Sequence, residues 1–157
     1  MQKTIDYVCS KCHVSGSTFR VWGDFSYKVE DTLMSIDRVL GLCNDCNSFA
    51  VVEILPIEDK FYNDSGPYNI VDYEKRLSLL ANRKSKARCL ECGGHNFEIV
   101  PEVKYDHERA RSQTPIRTSL MHKNCGGRIY GNPATPYLYM GDKLKSRFYT
   151  IEGIEIK

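Results

Sequence analysis

Seven cysteines and one histidine of this 157-residue chain form four pairs with the same internal gap: Cys9-x2-Cys12, Cys43-x2-Cys46, Cys89-x2-Cys92 and His122-x2-Cys125. Random placement of the cysteines would give roughly 0.3 C-x2-C pairs, and three are present. The gap has a geometric meaning. Two intervening residues make a tight turn that brings both side chains onto one ion, about 2.3 Å from each sulfur. Thirty residues separate the first pair from the second, and twenty-nine separate the third from the fourth. Taken in chain order, this repeat predicts two structural Zn2+ sites. Cys9, Cys12, Cys43 and Cys46 form the first; Cys89, Cys92, His122 and Cys125 form the second.

His122 is assigned by register, because it stands where the repeat needs a ligand. His95 and His107 are its rivals, and His13 adjoins a site that already has four cysteines. Gly93, Gly94, Gly126 and Gly127 follow the later ligands, as turns with positive φ or a close approach to sulfur require. A disulfide framework would leave one of seven thiols over. The opening MQKTIDYVCS has no apolar core, so a reducing, cytoplasmic setting is expected. Four ligands per site leave no open position for water, which points to structural rather than catalytic ions. No phosphate loop, Gly-x-Ser-x-Gly or His-Glu-x2-His motif occurs. The expected class is therefore non-enzymatic. The one weak acidic cluster, Asp106-His107-Glu108, reads as a solvated hairpin tip.

The elements that must carry these pairs are mostly strands. Residues 1–56 are expected to form a first zinc ribbon, with a strand over 19–29 turning at Gly23, one helical turn within 30–38, and strands over 39–42 and 49–55. Residues 57–85 are expected to be a helical linker. Ile70, Val71, Leu77, Leu79 and Leu80 recur at helical spacing, Asn69 is a candidate N-cap, and Asp72 and Glu74 precede Lys84 and Lys86 as the macrodipole prefers. Residues 86–134 repeat the ribbon, with strands over 97–105, 116–121 and 127–130. Residues 135–157 read as a C-terminal β-hairpin tail turning at Gly141-Asp142. The fold class is thus mostly β, small and zinc-stabilised: two zinc ribbons joined by an amphipathic helix.

Within the second ribbon, Arg111-Ser112, Pro115, the seven-residue step to His122, Cys125-Gly126 and Arg128 resemble the C-terminal ribbon of the transcription elongation factor S-II family. The segment ARSQTPIRTSLMHKNC is also similar to Ogr/Delta-type phage activators with one zinc ribbon. Both resemblances imply contact with transcription machinery, over about twenty of 157 residues. The Asp-Glu pair that supports transcript cleavage in the elongation factors is replaced by Gln113-Thr114, so that activity is not implied here.

Charge refines the partner. The formal net charge is +2; seven thiolates and two divalent ions change it by −7 + 4, leaving about −1. A general DNA-coating role is disfavoured, and any nucleic-acid contact must be local. The expected patch is Arg83, Lys84, Lys86 and Arg88, joined by Arg109, Arg111 and Arg117, with Tyr105, Tyr130, Tyr137 or Tyr139 available for stacking. The alternative is a protein–protein adaptor, a subunit of a larger complex, with Trp22 expected in the core. No apolar run is long enough to span a membrane.

Overall fold

The computed structural model describes residues 4–55, 70–103, 114–133 and 146–157, with the main chain alone at 70–73 and 133. Strand β1 (Ile5–Cys9) leads into the first knuckle, and β2 (Ser15–Ser17) leaves it. A 3-10 helix over Thr18–Trp22 follows, where a strand was expected. Ser17 explains the difference. Its hydroxyl accepts from the Phe19 N–H and starts a tight turn that outcompetes the β preference of Phe19, Val21 and Trp22. Strand β3 (Asp24–Val29) then turns through Glu30, at φ 56°, into β4 (Thr32–Ser35). The helical turn expected in 30–38 is replaced by this hairpin.

Strands β5 (Arg38–Cys43) and β6 (Ser48–Glu53) flank the second knuckle. Helix α1 (Ile70–Ala81) comes next, then β7 (Phe97–Ile99), β8 (Ile116–His122), β9 (Gly127–Pro133), β10 (Ser146–Tyr149) and β11 (Glu155–Ile156). Helix α1 ends earlier than expected, so Lys84 and Lys86 lie beyond its last turn, which holds no basic residue. Leu80 is buried at its end, and so is Arg76 one turn earlier, a residue outside the expected apolar stripe. No helix among the described residues is long and apolar enough to cross a membrane.

Three sheets result, with strand orders β2-β1-β9-β8, β11-β10-β3-β4 and β6-β5-β7. Their pairings join the two ends of the chain. Strand β1 pairs antiparallel with β9, matching Val8 to Tyr130 and Cys9 to Ile129. Strand β10 pairs parallel with β3 and antiparallel with β11. The turn expected at Gly141-Asp142 lies outside the described residues, as do the Asn69 cap and residues 104–113.

Strand β6 threads all three apolar clusters, which explains why five of its six residues are buried. Phe49 packs with Ile5, Tyr7, Leu42 and Ile129 around the β1–β9 pair. Val51 packs with Phe25, Tyr27, Leu80 and Tyr149 under the second sheet. Ala50 and Val52 face Cys43 and Cys89. A strand buried on both faces reads as a continuous apolar run, and Phe49-Ala50-Val51-Val52 is one, with the charged Glu53 directly after it.

Candidate metal centres

Three of the four ligand pairs sit on a knuckle made by the end of a strand and the turn after it, and the Cys89–Cys92 pair begins at an isolated bridge from Cys89 to Val52. Cys9 ends β1 and Cys12 lies in the turn to β2; His122 ends β8 and Cys125 lies in the turn to β9. Antiparallel β1, β9 and β8 bring these two turns together at one end of their sheet. Cys9 Sγ is 3.3 Å from Cys125 Sγ, and His122 Nδ1 is 3.3 Å from Cys12 Sγ and 3.1 Å from Cys125 Sγ. This three-thiol, one-imidazole group is the outer site. At the inner site, Cys43 and Cys46 on the β5–β6 turn meet Cys89 and Cys92 on the turn before β7. Cys43 Sγ and Cys92 Sγ are 3.6 Å apart.

The eight expected residues are therefore brought together, but their grouping differs from chain order. The first pair joins the fourth, and the second joins the third. The expected ribbons, 1–56 and 86–134, each give two ligands to each site. The cause is strand pairing: β1 aligns with β9, and β5 with β7, so each knuckle faces one from the other half of the chain. The inner site is nested in sequence between the two halves of the outer one.

The donor sets suit a tetrahedral ion. Ligand atoms within each group lie within 4.8 Å of one another. Tetrahedral bonds of about 2.3 Å place two sulfurs about 3.8 Å apart, close to the sulfur separations here and far from a disulfide. All seven cysteines are free thiols. The knuckles also supply N–H groups to sulfur: Lys11 N to Cys9 at 3.5 Å, Gly94 N to Cys92 at 3.4 Å and Gly127 N to Cys125 at 3.3 Å. Burial alone would raise the Cys9 thiol, but the N–H groups of Lys11 and Cys12, with the Cys125 and His122 side chains, hold it at about 6. Burial pushes Cys43 up to about 11 and raises Cys89 further. Burial also raises Cys125 at the outer site, so a cation is needed at both sites to keep every thiolate.

Residues after the second ligand of three knuckles take the left-handed conformation: Asn47 at φ 52°, Gly93 at 78° and Gly126 at 77°. Gly127 is required differently. A Cβ there would collide with Cys9 Sγ, a ligand held in place by its site. Asn47 escaped the sequence reading. Its Oδ1 lies 2.6 Å from His122 Nε2, although Asn47 follows Cys46 of the other site. The signal was available in principle, since asparagine tolerates the left-handed region that glycine fills at the sister knuckles. His95 is no ligand; its Nδ1 lies 3.1 Å from the Ala87 carbonyl.

The basic residues separate into two kinds. The Arg83 side chain is fully buried and forks onto Glu53, with NH1 to Oε2 at 2.5 Å and NH2 to Oε1 at 2.7 Å. Burial works against this guanidinium, but the Glu53 contacts outweigh it and raise its pKa. Arg88 donates to the carbonyls of Glu152 and Gly93. The Glu152 carboxylate accepts from the N–H groups of Lys84 and Ser85, which lowers its pKa. Arg83 and Arg88 thus hold the fold together, while Lys84, Lys86 and Arg117 are exposed. Arg109, Arg111, Tyr105, Tyr137, Tyr139 and the Asp106-His107-Glu108 cluster lie outside the described residues. Trp22 is half-buried, edge-on to Phe19 at 6.4 Å.

The chain matches no family, no curated protein and no solved structure.

Proposed function

We propose that the chain is a non-enzymatic, zinc-held module of the nucleic-acid-processing apparatus that binds single-stranded nucleic acid on the outward face of sheet β2-β1-β9-β8. Zinc suits the donors, since three- and four-thiolate tetrahedral sites favour it over harder divalent ions. Four protein ligands close each site, so the ions act as cross-links.

One observation carries the binding surface. Arg117, Tyr130, Val8 and Ser15 are successive cross-strand partners in one row over β8, β9, β1 and β2. Residues directly opposite one another share a face. Arg117, Val8 and Ser15 are exposed and Tyr130 is half-exposed, whereas their neighbours Thr118, Ile129 and Cys9 are buried. An aromatic ring beside a guanidinium on an open sheet is suited to stacking a base while holding its phosphate. A groove of about 430 Å³ continues the row past Val8 to Phe19 and Arg20. Phe19 is 41% exposed, which makes it a second stacking platform.

Anisotropy titration of the zinc-loaded protein into labelled 12-nucleotide RNA and DNA strands tests the reading. Tyr130→Ala is expected to weaken binding about tenfold, as for loss of one stacked base. Arg117→Ala is expected to reduce the slope of log affinity against log salt by about one. No binding at low salt, with a stoichiometric protein partner recovered instead, would replace this reading with the adaptor.

A further inference from the structure

The two candidate metal sites touch through one side chain. Asn47 follows Cys46 of the inner site, yet its amide oxygen lies 2.6 Å from Nε2 of His122 in the outer site. The roles of the atoms are fixed by their surroundings. His122 Nδ1 faces two ligand sulfurs, so the ring proton is on Nε2 and Asn47 presents an acceptor. Asn124 Nδ2 donates to the same Asn47 oxygen at 2.8 Å, so both of its lone pairs are used and the amide is held in that orientation. His122 is 1% exposed, which leaves Nε2–H no ready substitute partner in water.

We propose that Asn47 is a positioning residue that couples the two sites, filling of the inner site raising metal affinity at the outer one. An ion bound by Cys43 and Cys46 orders the turn that ends at Asn47. That turn aims the amide oxygen at His122, fixes the tautomer that ligates through Nδ1 and makes the ring a better donor. The coupling is reciprocal: an occupied outer site holds His122 on Asn47 and favours the inner turn. The inference rests on metal occupancy of both clusters and is independent of the nucleic-acid surface.

Asn47→Gly is the informative variant, since glycine keeps the left-handed backbone at φ 52° and removes only the amide. The reduced apoprotein is titrated with Co2+, whose visible bands distinguish a four-thiolate site from a three-thiolate, imidazole site. Native mass spectrometry counts ions per chain. The native protein is expected to pass from zero to two ions with little one-ion form. Asn47→Gly is expected to lower outer-site affinity about 10- to 100-fold and to accumulate a one-ion form with four-thiolate bands. The same change in a His122→Cys background, where no Nε2–H exists, is expected to leave outer-site affinity unaltered. Equal affinities for native and Asn47→Gly proteins would overturn the proposal. An equal loss in both backgrounds would also overturn it, by assigning the effect to the turn. A native protein that binds no ion defeats the metal reading itself, a separate result.

Discussion

Removing both ions with a strong chelator under reducing conditions is expected to unfold this protein outright. Each site straddles the edge of an apolar cluster, with Cys12, Cys46 and Cys125 packed against it. Cys9 is buried with Tyr7, Leu42, Phe49 and Ile129, and Cys43 and Cys89 are buried with Ala50 and Val52. Without cations, six sulfurs and an imidazole crowd together with only thiol protons to separate some of them, and Cys92 adds a seventh sulfur at the surface. Structural zinc supplies an apparent ~10–16 kcal/mol per site, while a domain of this size has a net stability of about 5–15 kcal/mol. Loss of both contributions together exceeds that margin. The expected readout is collapse of amide dispersion and of the near-ultraviolet signal, restored by zinc. A chelated protein with protected amides in β5 and β6 would show that the sheets stand without metal.

The second large effect is expected at Glu53. This carboxylate is 1% exposed and makes four contacts: Tyr27 Oη at 2.5 Å, both terminal nitrogens of Arg83, and the Arg88 N–H at 2.8 Å. Burial and the negative carboxylate also raise the Tyr27 hydroxyl far above its ordinary range, so Tyr27 remains a donor. Glu53→Ala would strand a buried guanidinium along with an O–H and an N–H. Breaking such a pair from one side costs about 3–5 kcal/mol, which lowers Tm by roughly 10 °C in a chain of this length. Glu53→Leu with Arg83→Met is expected to recover much of that loss, because removing both charges leaves no orphan. A thermal melt of Glu53→Ala within about 1 °C of the native protein would show the ion pair to be dispensable.

Arg83 also shows where sequence reading succeeds and where it stops. Its neighbours Lys84, Lys86 and Arg88 made it look like part of an exposed basic patch. The contrary signal was Glu53, a charge inside the otherwise apolar run FAVVEIL. A carboxylate on a strand buried on both faces needs a cation, and the one it takes lies thirty residues along the chain. Nothing local to Arg83 reveals this.

The ligands divide along the same line. A two-residue gap is a local property, so all four knuckles were legible, as were the glycines that follow two of them. Which knuckles meet is a long-range property. Loop closure barely discriminates: closing 110 positions between Cys12 and His122 instead of 31 between Cys12 and Cys43 costs only about 1 kcal/mol more. The choice falls to strand pairing, chiefly β1 with β9, and the regular repeat carried no information about it. The 3-10 helix at Thr18–Trp22 was missed for a smaller reason, a serine hydroxyl placed to start a turn ahead of a β-prone run.

The nested pairing of the sites is the central claim, and Cys12→Ser tests it most directly. Both groupings contain one four-thiolate and one three-thiolate, imidazole site, but they distribute Cys12 differently. In the nested arrangement Cys12 belongs with His122, so the Co2+-loaded variant is expected to lose the imidazole-containing site and keep four-thiolate bands. If the knuckles paired in chain order, the same variant would lose the four-thiolate bands and keep the imidazole-containing site, and the fold described above would be wrong at its foundation.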